Sequence, residues 1–381
     1  MAKVGSFLKN NFIFVIAFVV ALISCFFVPP DADYASYFEI NTLACIFLLL
    51  LVIAGLSRIQ FFEKVARIIV KKFKNTRSII MCLIFVTYVS AMVNANDMSL
   101  LTFLPLSYIV LKYTGNLRYL AFTFIMQNIA SNLGGMITPI GNPQNLYIFS
   151  FYQMNLLEFF KIMALPTLFA LILIIVVCLF IKKQPLEFKD NTENKFDGKR
   201  AIIYGILFVL TILVVVRVIP WWLAFAIILI TMLFCDRQAF LKVDYTIPMI
   251  FVFFFIFSGN MARIPAVTEF LQTMVAENTY LTAFFSCQLI SNVPTAVLLS
   301  KFTMDYASLL VAVNVASLGI IFSSLSGVIA LKEYMKFSRQ ENFLKRKVLG
   351  IILSLTLCLM LSGHLFLYHC ATLPYFYFKG D

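Results

Sequence analysis

Two apolar stretches of the chain are interrupted by short polar strings, Asn94-Ala-Asn96-Asp97 and Ser291-Asn292-Val-Pro294. Each puts side-chain oxygens beside backbone that cannot stay helical, and Pro105 and Pro294 help hold the irregular course. A hard cation such as sodium wants several oxygens, and half-helix C-termini add partial negative charge. Asn94, Asn96, Asp97, Ser291 and Asn292 are therefore candidate cation ligands, with Asn94, Asp97 and Asn292 as the sodium candidates. A carboxylate deep in a membrane segment costs about 2.5–3.5 kcal/mol on insertion scales. Asp97 thus needs a role: cation ligand, protonatable coupling group, or cap on local N–H groups.

A different chemistry is written in Leu133-Gly-Gly-Met-Ile-Thr138-Pro-Ile-Gly141-Asn142-Pro-Gln-Asn145, which holds three Gly and two Pro. Gly lets a ligand approach the backbone, and Pro frees a carbonyl from the helical ladder. In the second half Ser323, Ser324, Ser326 and Gly327 occupy the corresponding place. The N–H groups at half-helix N-termini suit an anion. Thr138, Gly141, Asn142, Asn145, Thr295, Ser323, Ser324 and Ser326 are the candidate substrate ligands. Ser and Thr in membrane helices also bond back to their own helix, so the group says more than any member.

These residues need a scaffold, and composition says which kind. The 381 residues are 62% hydrophobic and 13% charged, with 42 Phe, which describes a polytopic membrane protein. The net charge of +12 is no nucleic-acid signal, because Lys and Arg fall in short loops between apolar runs. The first run, 11–29, lacks a small-residue cleavage site and reads as a retained span. Eight scattered cysteines form neither a disulfide framework nor a metal site.

Full crossings are expected over 11–29, 38–57, 119–150, 158–181, 201–217, 220–235, 246–260, 306–331 and 348–370. Stretches 79–111 and 280–302 have arms too short to cross and read as re-entrant hairpins, which are tolerated where the tip is buried in protein. The crossings 119–150 and 306–331 are broken. With the N-terminus cytoplasmic and the C-terminus outside, 25 of the 30 basic residues lie inside, including Lys71, Lys72, Lys74, Lys182, Lys183, Lys332 and Lys345 to Lys347.

Asn128-Ile-Ala-Ser131-Asn-Leu-Gly134 and Asn314-Val-Ala-Ser317-Leu-Gly319 resemble each other within the broken crossings. With hairpins entering from opposite sides, this predicts an all-α fold with an inverted-topology repeat. The first repeat is 1–181, a linker and connecting span fill 182–219, and the second repeat is 220–381. An amphipathic stretch precedes each hairpin, Arg58 to Lys74 and Ile264 to Val275.

Asn132 to Asn145 is similar to the Gly-Gly…Pro-Ile-Gly-x-Pro-x-Asn pattern of the ion transporter superfamily, in its citrate-transporter-like and divalent-anion/sodium symporter branches. Ser291-Asn292-Val-Pro294 resembles that superfamily's hairpin tips, while Asn94-Ala-Asn96-Asp97 is closer to its arsenite-type members. The second broken crossing, Phe322-Ser-Ser-Leu-Ser-Gly327, lacks the Thr-Pro pattern. The resemblance implies tips that bind sodium and substrate carboxylates, a homodimer in the plasma membrane, and an elevator-like substrate domain. A di- or tricarboxylate driven by sodium or protons is the leading expectation. Arsenite permeation or sodium/proton antiport is the alternative.

Other classes fit less well. There is no His-Glu-x-x-His, Gly-x-Ser-x-Gly or P-loop, and His364 and His369 lie in or after the last span, so no enzyme is expected. No cofactor is expected beyond the coupling ion. Expected partners are a small anion, membrane lipid and a second copy, not nucleic acid. Broken helices also line channels, but an inverted repeat favours alternating access.

Overall fold

The computed structural model describes residues 12–61, 64, 75–93, 95–185, 197–215, 217–320 and 323–340. The expected last span 348–370, both histidines, Asn94, Lys71, Lys72, Lys74 and Lys345 to Lys347 lie outside the described residues. So does most of the first amphipathic stretch and of the linker.

The described chain is helical throughout, with one isolated bridge between Asn75 and Pro185. Helices α1 (Phe12–Phe27) and α2 (Ile40–Arg58) precede a hairpin of α3 (Thr76–Ala91) and α4 (Asn96–Tyr113). The crossing expected over 119–150 divides into α5 (Leu120–Gly135) and α6 (Pro143–Phe151). Next come α7 (Leu156–Leu179), α8 (Gly198–Val215), α9 (Trp221–Cys235) and α10 (Thr246–Met261). The second hairpin is formed by α11 (Pro265–Ile290) and α12 (Asn292–Leu299). The last broken crossing is α13 (Tyr306–Ala316) and α14 (Leu325–Gln340). This is an all-α polytopic membrane protein.

Local sequence explains where helices start. The Asn75 side chain accepts the Ser78 N–H at 2.9 Å and caps α3. Asn155 and Glu158 form a capping box on α7, and Asp305 caps α13 through the Ser308 N–H. Pro143 and Pro265 stand at the first helical positions of α6 and α11, where a missing N–H costs nothing. Within α11, Asn278 leaves helical backbone (φ −163°, ψ 97°) and its side chain accepts the Leu281 N–H at 2.9 Å. The second hairpin arm therefore begins at Asn278, two residues before the expected boundary at 280.

Three described helices are long and apolar enough to cross a membrane alone: α2, α7 and α8. Helices α1, α9 and α10 have 16, 15 and 16 residues, about 22–24 Å of rise against a hydrocarbon core of about 30 Å. The expected spans 220–235 and 246–260 are thus shorter as helices than a full crossing requires, whereas α1 is counted only from the first described residue. Helices α10 and α11 pass the same test only together, across a 99° bend.

The core is largely apolar with polar side chains buried in it, and much of the outer surface is apolar too. Leu165, Leu168, Ile172, Val176 and Leu179 of α7 face outward at helical spacing, as do Ile202, Ile206 and Val209 of α8. Helix α2 is the reverse, with most of its length enclosed. Since lipid is as apolar as Leu, close packing must supply the cohesion between helices. At the α3–α5 contact, a Cβ on Gly134 would stand 2.2 Å from the Tyr88 carbonyl oxygen.

The packing pairs come in matched sets. Helix α3 lies on α4 and α5, as α11 lies on α12 and α13. Helix α14 packs on α4 and α5, while α6 packs on α12 and α13. Each broken crossing thus sends its second half against the other half's hairpin.

Candidate functional site

Four helices begin at one place. Asn96 and Asp97 open α4, Pro143 and Gln144 open α6, Ser291 to Pro294 open α12, and Ser324 and Leu325 lead into α14. All of them line a single cleft of about 450 Å³, mouth included, whose remaining wall is Ile247, Ile250 and Phe251 of α10. No Lys or Arg is among these lining residues. The first N–H groups of a helix lack intrahelical partners, so each N-terminus carries about half a positive charge. The cleft is therefore a chamber whose positive potential comes from backbone alone.

Each hairpin tip is pinned to the unwound segment of a broken crossing. The Asn96 N–H donates to the Gly141 carbonyl at 3.0 Å, and the Ser291 hydroxyl donates to the Ser323 carbonyl at 3.2 Å. Both carbonyls sit two residues before the half-helix that follows. The Asn96 Oδ1 accepts the Asp97 N–H at 2.9 Å, and the Asn292 Oδ1 accepts the Val293 N–H at the same distance. The Thr138 hydroxyl adds a bond to the Met92 carbonyl. Ser291 holds φ 76° and ψ 163°, a conformation that side chains other than Gly seldom adopt.

Behind the tips, buried asparagines tie the broken crossings together. Asn132 of α5 exchanges hydrogen bonds with the Ser326 hydroxyl of α14 (2.8 and 3.0 Å) and accepts from Asn96 Nδ2 at 3.1 Å. Asn314 of α13 accepts from Asn142 Nδ2 at 2.9 Å and Gln144 Nε2 at 3.3 Å, and donates to the Asn145 Oδ1 at 2.6 Å. Asn132 and Asn314 each stand eleven residues before the next half-helix, which starts at Pro143 or Leu325. The expected alignment paired Asn314 with Asn128. The structure gives the matching role to Asn132, one helical turn later, because bonding distance follows register from the break rather than residue identity.

Of the residues nominated from sequence, Asn96, Asp97, Ser291, Asn292 and Ser324 reach the cleft wall. Thr138, Gly141, Asn142, Asn145, Thr295, Ser323 and Ser326 are not on that wall and hold the unwound segments instead. The Asn145 amide, for example, donates to the carbonyls of Gly135, Met136 and Thr138. The Thr295 hydroxyl donates back to the Ser291 carbonyl at 2.8 Å, and that of Ser323 to the Ser317 and Ile320 carbonyls. Asn94 lies outside the described residues.

Sequence reasoning passed over Gln144, the apolar wall from α10, and the bridging pair Asn132 and Asn314. The signal for Gln144 was its place directly after a proline at the first helical position. Oxygens Asp97 Oδ1, Asn142 Oδ1 and Gln144 Oε1 are buried and accept no hydrogen bond. Bare acceptors among so many donors mark the place where a ligand can add most.

The chain matches the family described as citrate transporter over residues 9–327. It is 31% identical over 297 residues to an uncharacterized transporter of Methanocaldococcus jannaschii, covering 77% of this chain and 81% of that protein. It is 26% identical over 335 residues to the inner membrane protein YbiR of Escherichia coli, covering 85% of this chain and 88% of that protein.

Proposed function

The chain belongs to the citrate transporter family, and on that premise we propose that it is a secondary active transporter moving a small dicarboxylate or similar oxyanion together with sodium or a proton. The observation that carries the reading is the cleft built from four helix N-termini. At about half a charge each, they offer about two positive charges, which suits a dianion better than a trianion. Ile247, Ile250 and Phe251 would face the carbon skeleton.

Asp97 makes the coupling ion necessary. Its carboxylate lines the same cleft and one of its oxygens has no partner, so an incoming anion meets a like charge. A cation or proton taken up at Asp97 removes that repulsion, so the anion binds better once the cation is in place. Linkage of this kind is reciprocal: each ligand raises the affinity for the other. The matched packing of the two halves supports an inverted repeat, and the basic loops support a cytoplasmic N-terminus in the plasma membrane.

The test is uptake by proteoliposomes holding the full chain. Asp97→Asn should abolish cation-driven dicarboxylate uptake while the protein still inserts and folds. Unchanged coupled uptake by this variant would refute the assignment. A second reading, sodium/proton exchange with Asp97 as its centre, is favoured by the lack of any basic side chain on the cleft wall. It predicts pH-dependent sodium movement with no anion present, and dicarboxylate counterflow would eliminate it as the main activity.

A further inference from the structure

We infer that Arg217 and Ser258 latch the outer side of the cleft, and that the cleft opens outward only when both release the half-helices they hold. This rests on the transporter reading above, because a carried solute must reach the cleft from each side in turn. The described helices pack as two groups. Helices α1, α2, α8, α9 and α10 pack on one another, while α3 to α7 pack with α11 to α14. The cleft lies between them, with its tips in the second group and its α10 wall in the first. Across that seam the extensive packing is of α2 on α6 and of α10 on α12.

Both α6 and α12 start at the cleft and run from it to the side that the expected orientation places outside. Each is held there by a side chain of the first group. Arg217, in the connection between α8 and α9, donates to the Phe149 carbonyl at 2.8 Å and the Met154 carbonyl at 3.3 Å. Its guanidinium also stands 5.1 Å from the centre of the Phe149 ring. The Ser258 hydroxyl of α10 donates to the Val297 carbonyl at 2.9 Å. Phe149 and Val297 are each the third-last residue of their half-helix, about 8–9 Å along it from the cleft. Carbonyls in a last turn lack intrahelical partners and carry the negative end of the dipole, which a guanidinium fork grips well. The hold has a cost, since Arg217 keeps φ 62°, in the region that favours glycine. Contacts in one state against backbone relief in the other is what a two-state element needs. Toward the cytoplasmic side the seam differs. Helices α4 and α14 leave the cleft in that direction, and neither packs extensively against the first group.

The experiment is sided thiol labelling of the full chain in membranes, with a membrane-impermeant maleimide and no solute added. Ile250→Cys puts the reporter on the cleft wall, and its signal is the labelling above that of the native cysteines alone. The expected result is labelling from the cytoplasmic face in inverted vesicles and little from outside in intact cells. Arg217→Ala should raise external labelling of the reporter about tenfold, the shift that losing one charge-assisted hydrogen bond gives a two-state equilibrium. Ser258→Ala should raise it too, and decides the matter if Arg217→Ala does not fold. A cap that serves α6 alone would lower the melting temperature of Arg217→Ala and leave the sidedness of labelling unchanged. External labelling unchanged in the folded variants, or a reporter already labelled from outside with Arg217 and Ser258 in place, would overturn the inference. Either result leaves the transporter reading to its own uptake test, because the labelling needs no solute.

Discussion

Ser291 shows what one residue stores. Its backbone (φ 76°, ψ 163°) lies where a Cβ is strained, at a cost of about 1–3 kcal/mol. The position persists because the Ser291 hydroxyl holds the Ser323 carbonyl and the Ser291 carbonyl holds Thr295. Ser291→Gly and Ser291→Ala lose the same hydroxyl, so their difference isolates the strain. The Gly variant should be the more stable by about 1 kcal/mol, the strain relieved less the extra entropy that Gly loses on folding. Thermal unfolding of the two in one detergent measures it, and equal midpoints would mean the site is unstrained. That Ser291 and Asn292 were special was legible, since polar residues inside an apolar run are expensive. The Ser323 partner of Ser291 and the bare oxygen of Asp97 were not, because hydrogen-bond satisfaction depends on partners far away in the chain.

At the scale of elements, the breaks were legible and the partners were not. Gly134, Gly135, Pro139, Gly141 and Pro143 announce that a crossing between 119 and 150 cannot stay helical, and α5 indeed gives way to α6. Gly134, however, is in the last turn of α5, and its service is close approach: its missing Cβ makes room for the Tyr88 carbonyl of α3. Gly134→Ala should therefore push α3 off α5 and destabilise by about 1–3 kcal/mol, the usual range for overpacking. Since the obstacle is backbone, no rotamer change can relieve it. Chemical or thermal denaturation of the purified variant tests this, and a stability equal to wild type would show that α3 can move at little cost. Gly141 meets the Gly135 carbonyl just as closely, so the glycines of the string read as room for a ligand also make room for backbone.

Across the whole molecule, distant segments are joined at the exposed surface as well as in the core. Arg263, in the bend between α10 and α11, pairs with Asp31 of the loop between α1 and α2 through two hydrogen bonds of 3.0 and 2.6 Å. The Arg263 guanidinium holds the Asp31 carboxyl below its ordinary value. A carboxylate whose folded pKa is depressed adds stability above its unfolded pKa, and that stability is lost as pH falls through the folded value. Asp31→Asn should thus lower the melting temperature slightly near pH 7, with the difference from wild type fading below about pH 4. The pair is solvent-accessible, so high salt should shrink the effect as well. A difference that did not shrink at all as pH fell from 7 towards 2 would show that the ion pair is not its cause.

Membrane class, helical breaks and the polar tips could be read from the chain alone, because each is a local departure from an apolar background. Hydrocarbon is so poor a solvent for polar groups that every exception is visible in sequence. The family resemblance rested on the same local strings. The tertiary structure alone decided which exceptions face the cleft and which brace it. Seven of the nominated ligands are braces, while Gln144 and three residues of α10 form wall that no local pattern singled out. It also shifted the equivalence of Asn314 from Asn128 to Asn132. The physical reason is that a donor or acceptor is defined by its free valence. Whether that valence is filled depends on which of four helix N-termini, from four separate parts of the chain, come to rest against it.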